Sequence, residues 1–95
     1  MQEVKEKLNL ETARISWKEL ERFFAQGMVL NVTGSLDLIE AGCAIAKDDT
    51  QQVQRWLKGE QLAKVSDQQA LEWHELDTEL WSVVVRPWIL VQDRP

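Results

Sequence analysis

In the stretch TQQVQRWLKG, residues 50 to 59, five polar side chains stand close together: Gln51, Gln52, Gln54, Arg55 and Lys58. Glutamine and arginine are the side chains that read adenine and guanine edges in the major groove, so a helix carrying them could contact DNA. From Lys47 to Lys64 the cations Lys47, Arg55, Lys58 and Lys64 face the anions Asp48, Asp49 and Glu60, a net charge of +1 that permits contact with phosphate. Against this, Asp48 and Asp49 stand where phosphates would approach the helix start, and affinity for nucleic acid leans on cationic phosphate contacts. A polar surface is also what any amphipathic helix turns toward water.

The other chemically able residues are isolated. His74, in LEWHELD, is the only histidine, with Glu75 and Asp77 nearby. It lacks the second histidine or cysteine pair that a zinc site needs. Cys43 is the only cysteine. Lying in an apolar run, it reads as a small buried hydrophobe, whereas a nucleophile paired with His74 would need an exposed and activated thiol. The acidic pairs Asp48 with Asp49 and Glu72 with Glu75 suggest carboxylate chemistry. However, adjacent helical residues do not face each other, and Asp49 has a use as a helix cap. The four glycines, at 27, 34, 42 and 59, are scattered, so no phosphate-cradling loop is present. No catalytic residue, metal ligand or cofactor is predicted.

The elements that must position these residues follow from periodicity and caps. Residues 2 to 13 alternate in charge with few apolar anchors and predict a partly solvated helix. In ISWKELERFFAQG, Ser16 and Glu19 have capping-box spacing, Trp17, Leu20 and Phe24 share a face, and Gly27 can end the helix. MVLNV, 28 to 32, predicts a strand. LDLIEAGCAIAKDD predicts a helix whose small residues Ala41, Gly42, Ala44 and Ala46 permit close packing, with a strand over its first half as the competitor. Asp49 and Gln52 cap the next helix, in which Val53, Trp56 and Leu57 point inward and Gly59 ends the element. LAKV, 62 to 65, is a short strand, and Ser66 with Gln69 caps a helix reaching about Asp77.

The most apolar stretch is LWSVVVRPWILVQ, 80 to 92. As one strand it would reach about 43 Å, at about 3.3 Å per residue, which overhangs a domain whose radius of gyration should be about 12–13 Å. It should therefore fold back as a hairpin. Pro87 cannot supply the positive φ of a tight primed turn, so the bend must be wide, kinked or built on a cis peptide. Trp81, Val83 and Val85 point to one side of its first half, and Leu80, Ser82, Val84 and Arg86 to the other. Apolar residues on both sides mark a central strand or one covered by a partner.

With 95 residues, 44% of them hydrophobic, the chain suits a single domain, residues 1–95, that folds unaided. Five Trp and two Phe enlarge a small core. The net charge of -5 disfavours nucleic acid and anionic membranes. The longest apolar run, 87 to 91, is far shorter than the roughly 20 residues that span a bilayer. MQEVKEKLNL lacks the apolar core of a secretory signal, so the expected location is the cytoplasm.

LNLETARISWKELERFFAQG, LDLIEAGCAIAKDD, VQRWLKGEQLAKVSDQQALEW and LWSVVVRPWILVQ, in that order, resemble the bacterial proteins of domain-of-unknown-function family 2288, from Leu8 to Gln92. The resemblance implies a compact cytoplasmic bacterial protein and carries over no activity, cofactor or site residue. Together these features predict an α+β fold, helices on a small, mostly antiparallel sheet with a C-terminal hairpin. The order of elements is that of a winged helix with residues 50 to 58 as recognition helix. The expected function is a non-enzymatic protein-interaction module, a homodimer through its two-sided apolar strands or an exposed Trp surface. A winged-helix DNA-binding protein, reading through Gln51, Gln52, Gln54, Arg55 and Lys58, is the alternative.

Overall fold

The computed structural model describes residues 2–93. The chain runs α1 (Gln2–Glu11), β1 (Ala13–Ser16), α2 (Trp17–Ala25), β2 (Val29–Val32), α3 (Leu38–Ala46), α4 (Thr50–Lys58), β3 (Leu62–Lys64), α5 (Asp67–Glu75), β4 (Glu79–Val85) and β5 (Trp88–Gln92). The five strands form one sheet in the order β1-β4-β5-β2-β3. Three of its pairings are antiparallel and one, β2 with β5, is parallel. The molecule is an α+β fold, as the sequence predicts.

The apolar carboxy-terminal stretch doubles back, with Val85 opposite Trp88. The Arg86–Pro87 peptide is cis, the arrangement that places proline third in a tight turn without positive φ. The longest dimension of the molecule is 38 Å, so an unbroken strand would indeed have overhung it. Both halves of the hairpin lie inside the sheet, and this explains their two-sided apolarity. Val83, Val85 and Leu90 face a core built with α1, α3 and α4, whereas Leu80, Ile89 and Val91 face a second core built with α2 and α5.

Helices thus cover both faces of the sheet. The winged-helix arrangement is not what the strands form: the hairpin is central instead of projecting, and an additional strand, β1, joins its outer side. Periodicity does not announce β1 because ARIS is short and half-exposed. Its last residue, Ser16, immediately precedes α2, and its side chain makes no cap bond there. The Ser16–Glu19 capping box is therefore not formed. The other caps are: Asp49 accepts from the Gln52 N–H at 3.3 Å and Ser66 from the Gln69 N–H at 3.1 Å. Asp37, accepting from Glu40 N–H at 3.3 Å, decides the helix reading of the third segment.

Gly42 is buried where α3 meets α1 and the sheet. A Cβ there would lie 3.0 Å from Leu8 Cδ1 and 3.4 Å from Val85 Cγ2, so the absent side chain is what lets these layers close. Helix ends are less economical. Gly27 takes φ +74° after α2, as expected, but Gly59 has an ordinary φ of -84° and the left-handed position passes to Glu60 at 59°. A left-handed non-glycine residue costs about 1–2 kcal/mol, and glycine adds about 0.4–1 kcal/mol of unfolded-state entropy. Since Glu60 is exposed, Glu60→Gly is expected to stabilise the fold by about 0.5–1 kcal/mol, read as a raised urea midpoint with an unchanged slope.

Candidate functional site

α4 lies on the α1/α3 side of the sheet, and its apolar arc is wider than the sheet can take. Trp56 is buried and Val53 half-buried, but Leu57, which the sequence turns inward with them, is 46% exposed. A cleft of about 400 Å³ opens beside it. Leu30, Leu62 and Trp88 from the sheet and Ile45, Val53 and Leu57 from α3 and α4 line it. Its polar groups are Asp48, Asp49, Thr50, Gln54 and Lys64. Asp48 is exposed and held at φ 58° where the chain turns from α3 into α4. Asp49 spends one carboxylate oxygen on the helix cap.

This volume is in the range of sites that take a small apolar group. An apolar cavity with charged residues beside it suits an anchoring side chain from another molecule, with polar contacts around it. No spacing in the sequence marks the site, because its walls come from four separated segments. The one available signal was Leu57 itself, a third large residue on an arc where two suffice.

The five residues considered for DNA contact are brought together on α4. Gln51, Gln54, Arg55 and Lys58 are exposed, and Gln52 is half-buried. Gln52 Oε1 accepts from Arg55 Nη1 at 3.5 Å, so two of the five also engage each other. His74 is exposed on α5, with Nδ1 3.2 Å from Glu21 Oε1 on α2, and serves to link those helices. Cys43 is half-buried, not buried as its apolar neighbours suggest. It sits on α3, on the opposite face of the sheet from α5. A Cys43–His74 pair is therefore ruled out by the intervening sheet. Glu72 and Glu75 are exposed. Among the described residues no group of three or more His, Cys, Asp and Glu side chains converges as a metal site, and no helix is long and apolar enough to cross a membrane.

No tryptophan is fully exposed. Trp17, Trp56 and Trp73 are buried, and Trp81 and Trp88 are half-buried. Among the described residues, the large apolar side chains most open to water are Leu10, Leu57, Leu71, Leu76 and Val84.

A family model described as a protein of unknown function, DUF2288, matches residues 3–93. No curated protein matches the chain. The NMR solution structure of PA1075 from Pseudomonas aeruginosa is similar in sequence and fold, with 45% identity and a TM-score of 0.85 over 100% of this chain and 88% of that one.

Proposed function

The chain belongs to the DUF2288 family, and from its surface we propose that it is a non-enzymatic protein-interaction module whose cleft beside α4 receives an apolar side chain of a partner. The observation that carries this reading is the apolar cleft with Leu57 left half-exposed at its wall. Burying a leucine-sized side chain there would contribute roughly 1.5–3 kcal/mol, enough to anchor a contact and too little to complete one. Charge supplies the rest of the recognition. Asp48 and Lys64 lie by the cleft, so the fitting segment has a large apolar residue flanked by a basic residue toward Asp48 and an acidic one toward Lys64.

Leu57→Glu tests the site with little effect on the fold, since a substitution at so exposed a position should change stability by only about 0.5 kcal/mol. Wild-type and variant chains serve as bait in extracts of the source cells. A protein retained by the wild type and lost by Leu57→Glu, and which then shifts the Trp88 indole signal on titration, is the expected result. Identical captured sets, or a captured protein that leaves Trp88 unmoved, would sink the proposal. Duplex DNA is the control: binding at about 50 mM salt that falls steeply as salt rises would transfer the function to the cations of α4.

A further inference from the structure

β4 is longer than the strand that pairs with its outer side. β1 covers Glu79 to Ser82 and begins only at Ala13, while β4 continues to Val85. The phase of the ladder decides what is left over. Trp17 N–H donates to the Thr78 carbonyl at 2.9 Å, so the bonded pairs of β1 and β4 are every second one from there, Ile15 with Leu80 and Ala13 with Ser82. The next bonded position on β4 is Val84. Across β5, Val84 stands opposite Ile89, whose N–H turns the other way and donates to the Met28 carbonyl at 2.9 Å. The N–H and C=O of Val84 therefore point out of the sheet edge, where the chain has left the line of β1 for α1, and neither has a protein partner among the described residues. The Val84 side chain is 49% exposed. Open edge positions are usually blunted by charge or proline, but this one carries a valine.

A pocket of about 330 Å³ lies beside this edge on the α2 face of the sheet. Ile15, Leu20, Phe23, Val84 and Ile89 wall it, and its charged residues are Glu11 and Glu19, with no lysine or arginine. Glu11 meets Lys7 only at 4.0 Å in an exposed pair, which is worth little. Glu19 makes no ion pair among the described residues. Arg22, three residues on, is held over the Phe23 ring instead, 4.7 Å from its centre. On the opposite face the same edge is bordered by Lys7 and Arg86.

We propose that the outer edge of β4 at Val84 takes an extended segment of a partner polypeptide, which joins the sheet in line with β1 and places an arginine or lysine opposite Val84. Residues opposite each other in a ladder point to the same face, so the aliphatic stem of that cation lies on the apolar walls and its head reaches Glu11 and Glu19. The residues on either side of it turn to the other face, where acidic ones meet Lys7 and Arg86. Strand addition draws affinity from main-chain bonds and selectivity from alternate side chains. The site is on the opposite face of the sheet from the cleft beside α4 and does not depend on it.

Two measurements on the full chain test the site. In amide hydrogen exchange, Val84 should exchange faster than Leu80 and Ser82, which β1 protects; equal protection would overturn the open edge. The probe for the occupant is the terminally blocked pentapeptide Val-Glu-Arg-Glu-Val, titrated to about 5 mM against the isotope-labelled chain. It should shift the Val84 amide and the Ile15 and Phe23 signals saturably and leave the Leu57 amide unmoved. Methylating the arginine amide nitrogen of the peptide should weaken binding roughly tenfold or more, since it removes one ladder bond and blocks the approach. Glu11→Gln with Glu19→Gln, both at exposed positions, should weaken it about threefold or more. A peptide that leaves Val84 unmoved, a methylated peptide that binds as well, or a peptide with glutamate in place of arginine that binds as well would each overturn the proposal.

Discussion

Trp17→Ala should remove about 3–5 kcal/mol of stability, the usual cost of emptying a large buried aromatic site. Trp17 is 0% exposed, and its ring lies 5.0 Å from Trp73 and 5.5 Å from Phe24, so its loss opens the core of the α2/α5 face at its centre. Tilted aromatic pairs add about 0.5–1.5 kcal/mol each beyond area. For a fold whose total is about 5–15 kcal/mol, the variant should be close to half-unfolded or worse under mild urea. Circular dichroism through a urea series measures it. Trp17→Phe is the informative companion. Trp17 Nε1 has no hydrogen-bond partner although it is buried, so phenylalanine loses volume but no bond and should cost clearly less. A Trp17→Ala midpoint equal to that of the wild type would refute this account of the core.

Gln92→Leu should cost about 1–3 kcal/mol, although the new side chain is apolar, close in volume and placed in the interior. Gln92 is 1% exposed at the end of β5. Its Nε2 donates at 2.8 Å to the Thr33 carbonyl and at 2.6 Å to the Leu36 carbonyl, holding the loop that leads into α3. Leucine leaves both carbonyls without these donors, and an unsatisfied buried polar group costs about 1–3 kcal/mol. Gln92 Oε1 is itself buried and unpartnered, so leucine also removes one unsatisfied acceptor, which offsets part of the loss by about 1–3 kcal/mol. The expected result is a lowered urea midpoint together with faster amide exchange around residues 33–37. A variant as stable as the wild type would mean that the two carbonyls find other donors.

Much of this fold was legible because local physics decided it. The Asp49 and Ser66 caps need only a side chain and an amide three residues apart, and they form as predicted. The hairpin was forced by length and proline together. Ser16 shows the limit of such local reasoning. Its spacing to Glu19 fits a capping box, yet Ser16 belongs to β1, pairs with Glu79, and caps nothing through its side chain. The candidate site was the least legible part. Leu57, Trp88 and Lys64 are apolar or basic residues like many others, and only packing shows that one arc of α4 overfills its seat.

By itself the sequence determined the residues that favour helix, strand and turn, and the doubling back of the apolar end, because those depend on neighbours a few positions away. It also determined that Cys43 and His74 have no second residue of their own kind. Only the tertiary structure decided that strands 80 to 92 are buried on two faces by two separate helix layers, that β1 closes one side, and that Leu57 remains in water. Those outcomes depend on which surfaces compete for the same sheet, and competition between distant segments leaves no mark in local spacing.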